Sequence, residues 1–311
     1  MDLKRDEYHE IKDEISFLTN SLVRIKILIC LYEKGASVKE IKEKTNTNYS
    51  SVTSNINKLD EKGYVIKKQD KYYLKTSTRI KLINILSLNE NLKFLNEYED
   101  FLNDHDMKAL PQEAFAELPV MRNVELIQSD RLNPFKATDT YKRAMTRQGR
   151  VCAICSYLHP ECKRIISAVM EQETGLNLMV YKEVAKYIQK CAMNYQQHDE
   201  IRNKYFNIKR LDYEPKIAMV VSEKEIVLSF HRIEGVIDKN SCFISTDQTA
   251  INWGYNLFKE FERNDDKKYV SMQHLILEKL SQEEDEELDE RCIAQADDDE
   301  EEYDEDMEWV I

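Results

Sequence analysis

Two groups of residues in this 311-residue chain have types and spacing that could do chemistry. The first is "VCAICSYLHPEC", which puts Cys152, Cys155, His159 and Cys162 within eleven residues. Thiols and an imidazole this close together can ligate a metal or respond to oxidants. Cys152 and Cys155 lie three apart in a run that reads as a strand, so their side chains face opposite ways and do not chelate one ion together. Cys155, His159 and Cys162 span a strand end and a helix start at Pro160, and make the better set. The plain reading is of buried cysteines acting as small hydrophobes. The chemical one is a redox-sensing thiol at Cys155 or Cys162, activated by the helix N-terminus. No metal and no cofactor is expected.

The second group is "TNTNYSSVTSNINKLDEKGYV", residues 45–65. It has helical spacing although Thr, Asn and Ser are weak helix formers. Val52, Ile56 and Leu59 recur at i, i+4, i+7 and form one apolar stripe. Thr47 or Asn48 can cap the start, and Gly63 stands where the helix stops. With about 100° per residue, Ser50, Ser54, Asn57 and Glu61 fall opposite Val52, flanked by Ser51, Thr53 and Lys58. A buried face does not need these groups, whereas a face that reads bases does. Asn pairs with the adenine edge, and Ser or Thr serves donors and acceptors alike. The predicted DNA-binding residues are Asn48, Tyr49, Ser50, Ser51, Thr53, Ser54, Asn57, Lys58, Lys67, Lys68 and Lys71, with Lys75 and Arg79 as further phosphate contacts.

These residues need a frame. The spacing predicts a helix in "SLVRIKILICLYEKG" with a stripe at Leu22, Ile25, Ile29 and Tyr32. A second helix follows in "SVKEIKEKT", pinned by Val38 and Ile41 and opened by a capping box at Ser37 and Glu40. The polar helix comes third. "YVIKK-QD-KYYLK" then reads as a hairpin turning at Gln69-Asp70. Three helices and a basic hairpin make the winged helix-turn-helix pattern, in which the last helix enters the major groove and the wing lies along the backbone.

Charge supports this division. The whole chain carries −13, but residues 281–311 hold 17 Asp/Glu against one Arg. The other 280 residues are therefore at +3, and residues 16–82 alone, with 14 Lys/Arg and 6 Asp/Glu, are at +8. A basic head of this kind points to nucleic acid. No apolar run approaches the length of a membrane span. The charged "MDLKRDEYHE" does not read as a signal peptide. Seven cysteines do not suggest a disulfide framework, so a reduced, cytoplasmic protein without a membrane partner is expected.

The chain reads as α/β overall. Residues 1–82 form the winged helix, and 83–118 a linker or dimerisation helix with Leu92, Leu95, Phe101 and Leu102. Residues 119–264 form an α/β sensing domain with a mixed sheet. Residues 265–280 suggest an amphipathic helix, and 281–311 a disordered acidic tail. In the sensing domain, strands are expected at 124–127, 151–156, 176–181, 217–221, 225–230 and 242–245, and helices at 139–148, 160–173, 182–190 and 248–261. Ligands bind at strand ends and strand-to-helix loops, which makes Ser156, Tyr157, His159, His231 and Asp238 ligand candidates.

The stretch "IKILICLYEKGASVKEIKEKTNTNYSSVTSNINKLDEKGYV" resembles winged-helix regulators of the ArsR/MarR type. "ICSYLHPECKRII", "GLNLMVYKEVAKYI" and "EIVLSFHRIEGVIDKNSCFISTDQTAINWG" resemble the central domain of the archaeal methanogenesis-regulator family of transcription factors. The most specific part is the signature of Asp247, Ala250, Trp253, Gly254, Leu257 and Phe258. The resemblance covers residues 16–263 and implies a dimeric regulator whose central domain answers a signal. The central domain also looks like half of a phospholipase D-type fold. Of that superfamily's His-x-Lys-x4-Asp motif, His231 and Asp238 are present, Ile233 replaces the Lys, and there is no second copy. Catalysis of phosphodiester cleavage needs that cation, so the chain is not read as an enzyme.

The functional expectation is a homodimeric regulator that binds a double-stranded DNA operator and is controlled by a small-molecule or redox effector. The acidic tail has three readings: a solubilising appendage, a segment that folds back on the basic head and competes with DNA, or an arm for a basic partner. The alternatives are a protein-interaction module built on the winged helix and tail, and a phosphodiesterase centred on His231.

Overall fold

The computed structural model describes residues 5–171, 175–193, 206–264 and 270–271. The chain divides into two compact units, residues 1–93 and 94–311.

The first unit opens with α1 (Arg5–Thr19), α2 (Leu22–Glu33), α3 (Val38–Thr45) and α4 (Tyr49–Glu61), followed by β1 (Val65–Lys68) and β2 (Lys71–Leu74). α5 (Thr76–Glu97) begins in this unit and reaches the second at Phe94. The local signals explain the boundaries. The Ser21 side chain caps α2. At α3, Ser37 and Glu40 form both halves of the capping box, and Asn46 closes the helix in the left-handed region. The Asn48 side chain accepts the Ser51 N–H at 2.8 Å and starts α4. After α4, Gly63 turns the chain at φ 73°, a value that favours glycine. The hairpin pairs Val65 with Leu74 through Lys68 with Lys71, so Gln69-Asp70 is its two-residue loop. A bridge between Ala36 and Tyr72 fastens the hairpin beside the α2–α3 turn.

Ile27, Leu28, Leu31, Ile41, Val52, Ile56, Leu59, Val65 and Leu82 build this unit's core. The stripe expected on α2 is corrected: Leu22 and Ile29 are exposed, and Arg24, Ile27, Leu28, Cys30 and Leu31 face inward. Nine of the twelve α2 residues are apolar, so periodicity alone cannot fix its rotation, and packing among α1, α3 and α4 does. The sequence reading also missed α1. There Phe17 stacks on Tyr64 with centroids 5.4 Å apart, and the Tyr64 hydroxyl donates to Glu14 at 2.9 Å.

The second unit begins with α6 (Glu99–Asn103) and α7 (Gln112–Glu117), joined by a short 3₁₀ turn. The expected single helix over 83–118 is therefore broken, and its inward residues are Phe94, Tyr98 and Phe101, while Leu92 and Leu95 are exposed. Then come β3 (Glu125–Gln128), α8 (Lys136–Met145), β4 (Arg150–Cys155), α9 (Cys162–Glu171), β5 (Gly175–Tyr181), α10 (Lys182–Met193), β6 (Phe206–Leu211), β7 (Ile217–Ser222), β8 (Ile226–Phe230), β9 (Ser241–Ser245), α11 (Gln248–Arg263) and β10 (Val270–Ser271). They form a mixed sheet in the order β10-β6-β5-β4-β7-β8-β9-β3, with β4, β5 and β6 parallel and the remaining pairs antiparallel.

Each face of the sheet has its own core. Ala137, Tyr141 and Ala144 of α8, Ile166 and Val169 of α9, and Ile188 of α10 cover one face. Trp253, Leu257 and Phe261 of α11 cover the other, with Phe94, Tyr98 and Phe101. Trp253 thus packs its helix on the sheet. The amphipathic helix expected at 265–280 lies outside the described residues except for Val270 and Ser271, which pair with β6 as a strand instead. The acidic segment 281–311 also lies outside them.

Candidate nucleic-acid interface

α4 divides sharply between two environments. Val52, Ile56 and Leu59 are fully buried, each contributing on the order of 2 kcal/mol of apolar burial. Asn48, Tyr49, Ser50, Ser54, Asn57 and Lys58 are exposed, and Ser51 and Thr53 are half-buried. The weak helix formers are held by the inward stripe and by the cap, where Asn48 also takes a bond from the Ser50 hydroxyl at 2.9 Å. The cap thus occupies the Asn48 and Ser50 side chains locally, which leaves Ser54 and Asn57 as the free polar groups on the outward turn. Thr53 Oγ1 is buried and has no hydrogen-bond partner.

Lys67, Lys68, Lys71 and Lys75 are exposed along the hairpin. Lys71 lies 3.6 Å from Glu40. Among the described residues, Lys58, Lys67, Lys68 and Lys75 form no ion pair within 4.0 Å. An outward polar helix face and a hairpin region in which Lys67, Lys68 and Lys75 have no ion pair therefore stand in one compact unit. Two residues that sequence reasoning passed over support the arrangement. Arg24 is buried on α2, donates to the Phe17 carbonyl, and reaches the Asn55 side chain of α4 at 3.4 Å. The Lys62 ammonium sits 4.5 Å above the Phe17 ring. Neither contact has a local signature, since both depend on α1.

The candidates in the second unit fall into two places. Cys155, Tyr157, His159 and Cys162 line one apolar cavity of about 30 Å³ with Met145, Ile166 and Phe206. Cys152 belongs to the opposite face, as the strand alternation requires. Burial pushes the Cys155 thiol up to about 12, the reverse of what an activated thiol needs. The His159 ring is fully used: Nε2 donates to the Thr138 carbonyl at 2.9 Å, and Nδ1 accepts the Glu161 N–H at 3.0 Å. Burial lowers its pKa, in keeping with that neutral form. No group of three His, Cys, Asp or Glu side chains among the described residues can hold a metal ion.

Asp238 and His231 lie elsewhere, around the β8–β9 connection. The Asp238 carboxylate is buried and accepts from His105 Nε2 at 3.1 Å, the Asn240 N–H at 2.8 Å, Arg232 at 3.2 Å and the Ser241 hydroxyl. Burial alone would raise its pKa, but the bonds from His105, Ser241 and Asn240 and the Arg232 charge outweigh it and hold the carboxyl below the usual range. His105 Nδ1 faces the Phe101 carbonyl at 2.6 Å, so both ring nitrogens point at acceptors. No local signal marks this pairing across 133 positions. His231 donates from Nδ1 to the Gly235 carbonyl at 3.1 Å, and its Nε2 is buried without a partner. Ser156 is buried, and its hydroxyl is likewise without one. Ile233 is exposed on the loop. The five ligand candidates thus do not gather into a single pocket.

Residues 12–95 match the N-terminal domain of the methanogenesis regulatory protein FilR1, and residues 134–264 its middle domain. The methanogenesis regulatory protein FilR1 of Methanothrix harundinacea (strain 6Ac) is 19% identical over 259 residues, which cover 82% of this chain and 58% of that relative. The chain therefore spans little more than half the length of the curated relative it matches. Among solved structures, TrmBL2, an archaeal chromatin protein whose structure shows a novel mode of DNA binding, is 15% identical. The match covers 85% of this chain and all of TrmBL2, at a TM-score of 0.36. PigF with SAH is 12% identical over 68% of this chain and 67% of its own, at 0.23. TM-scores this low carry no argument from fold to function.

Proposed function

Because the chain carries the N-terminal and middle domains of the FilR1 methanogenesis regulatory family, we propose that it is a DNA-binding transcriptional regulator. α4 enters the major groove of a double-stranded operator, and the β1–β2 hairpin lies along the phosphates. Ser54 and Asn57 read base edges, while Lys58, Lys67, Lys68 and Lys71 set register without reading sequence. The observation that carries this reading is the outward α4 face beside lysines without carboxylate partners.

The active form is a cytoplasmic homodimer, because two reading helices one DNA turn apart engage both halves of a palindromic site. The second unit answers a small-molecule effector. The Cys155 thiol, held protonated by burial, argues against a redox signal there, and the apolar cavity beside it, about 30 Å³, has room for about one water and is not itself the effector pocket. The acidic segment 281–311 takes a basic partner.

The test is Asn57→Ala, measured on the operator and on an unrelated duplex of equal length. Loss of a base contact weakens operator binding by about 1–3 kcal/mol and leaves unrelated DNA unchanged. Equal loss on both duplexes removes Asn57 from base reading. If the chain retards no duplex but binds heparin weakly and without preference, the interaction-module reading takes its place. The phosphodiesterase reading has less support, because Ile233 stands where a cation is needed and Asp238 is engaged by four groups of its own chain.

A further inference from the structure

The first unit presents exposed lysines that have no ion-pair partner of their own, although Glu61 on α4 and Asp70 in the hairpin loop are exposed nearby in the sequence. Lys58 on α4 and Lys67, Lys68 and Lys75 on the hairpin are exposed, and no carboxylate lies within 4.0 Å of any of them among the described residues. The carboxylates that do form ion pairs in this unit are committed to other lysines: Glu33 to Lys44, Glu40 to Lys71, Glu14 to Lys81 and Glu90 to Lys93. Such a face attracts an acidic polypeptide within reach.

The same chain supplies one. Residues 281–311 carry 17 carboxylates and one Arg, about one net charge for every two residues. An extended backbone advances about 3.3 Å per residue, so its charges fall about 7 Å apart. A DNA strand places one every ~3.4 Å. The segment is thus a sparser polyanion than DNA, able to occupy the face and to be displaced from it. Forty residues follow Ser271, the last one described, and at full extension they span about 130 Å, several times the diameter of a small domain. Tethering also keeps the segment at an effective concentration on the order of millimolar near every surface it can reach.

We propose that residues 281–311 dock on the lysine face formed by α4 and the β1–β2 hairpin, and compete there with DNA. The proposal rests on the DNA-binding reading of that face only for its consequence, since the docking itself is independent of any duplex. Other acidic stretches, such as a partner protein's, meet the same face only after this one has left it.

The experiment compares the full chain with a chain lacking residues 281–311. A third form of full length replaces Asp297, Asp298, Asp299, Glu300, Glu301, Glu302, Asp304, Glu305 and Asp306 by Asn or Gln. On a generic duplex near 50 mM salt, deletion is expected to tighten binding about tenfold or more, with the neutralised form close behind. Above about 300 mM salt the three forms should converge to within about twofold. A synthetic peptide of residues 281–311 added to the ¹⁵N-labelled shortened chain should shift the amide signals of Lys58, Lys67 and Lys68. Equal duplex affinity of all three forms at low salt overturns competition. Absence of those amide shifts at millimolar peptide overturns docking. If the shifts occur but no form binds any duplex, docking stands and the DNA reading fails, so the two ideas fail separately.

Discussion

Replacing Lys68 with Ala should change how binding depends on salt more than how it depends on sequence. Four exposed lysines, Lys58, Lys67, Lys68 and Lys75, lack ion-pair partners among the described residues on the face proposed to meet DNA. If each releases one counterion, log affinity falls with log salt at a slope of about −3.6 per copy. Raising salt from about 50 to 200 mM then weakens binding roughly 150-fold. Without Lys68 the slope becomes about −2.7 and the same salt step costs roughly 40-fold. Fluorescence anisotropy on labelled operator and on unrelated duplex, across a salt series, measures both quantities. The slope should flatten by about 0.9 per copy on both duplexes, and the ratio of the two affinities should hold. Lys186→Ala in α10, on the other unit, should leave the slope alone. A slope unmoved by Lys68→Ala and by Lys67→Ala would mean that the hairpin does not touch phosphates, and the geometry argued for the wing would be wrong.

Two further predictions concern the second unit. Asp238→Ala leaves the buried His105 ring without its acceptor, at a cost of about 1–3 kcal/mol in chemical denaturation at neutral pH. Because the folded carboxyl titrates below its unfolded value, this contribution is complete above about pH 4 and is lost as the pH falls further. The gap between variant and parent should therefore narrow in acid, and a gap that widens there would refute the assignment. At Gly254, an added Cβ would lie 2.5 Å from Ile226 Cδ1 and 3.2 Å from Val221 Cγ2. Gly254→Ala should cost about 1–3 kcal/mol. Ile226→Val removes the nearest atom, so the double variant should lose less than the sum of the singles, and strict additivity would show that the clash is not there.

Local signals were legible because their causes lie within a few residues. Ser37 with Glu40 and Gly63 each marked an element boundary from sequence alone, Asn48 was one of two cap candidates beside Thr47, and the expected strands over 119–264 correspond to β3, β4, β5, β7, β8 and β9. What escaped was set by distant partners. β6 contains Lys209 and Arg210, which argue against a central strand, yet Lys209 is buried and its ammonium donates to the Glu262 carbonyl at 2.7 Å. The rotation of α2 was ambiguous because nearly every side offers an apolar residue. Among the candidate sites, the outward face of α4 could be read from periodicity. Asp238 looked like a ligand group because nothing in the sequence connects it to His105.

The separation of duties within α4 has a consequence for variation. Fold stability there resides in Val52, Ile56, Leu59 and the Asn48 cap, while Ser54 and Asn57 project outward and support nothing inside. If α4 reads bases as proposed, drift or deliberate engineering can rewrite those outer letters one at a time, giving the same scaffold a new address without first having to rescue it from collapse.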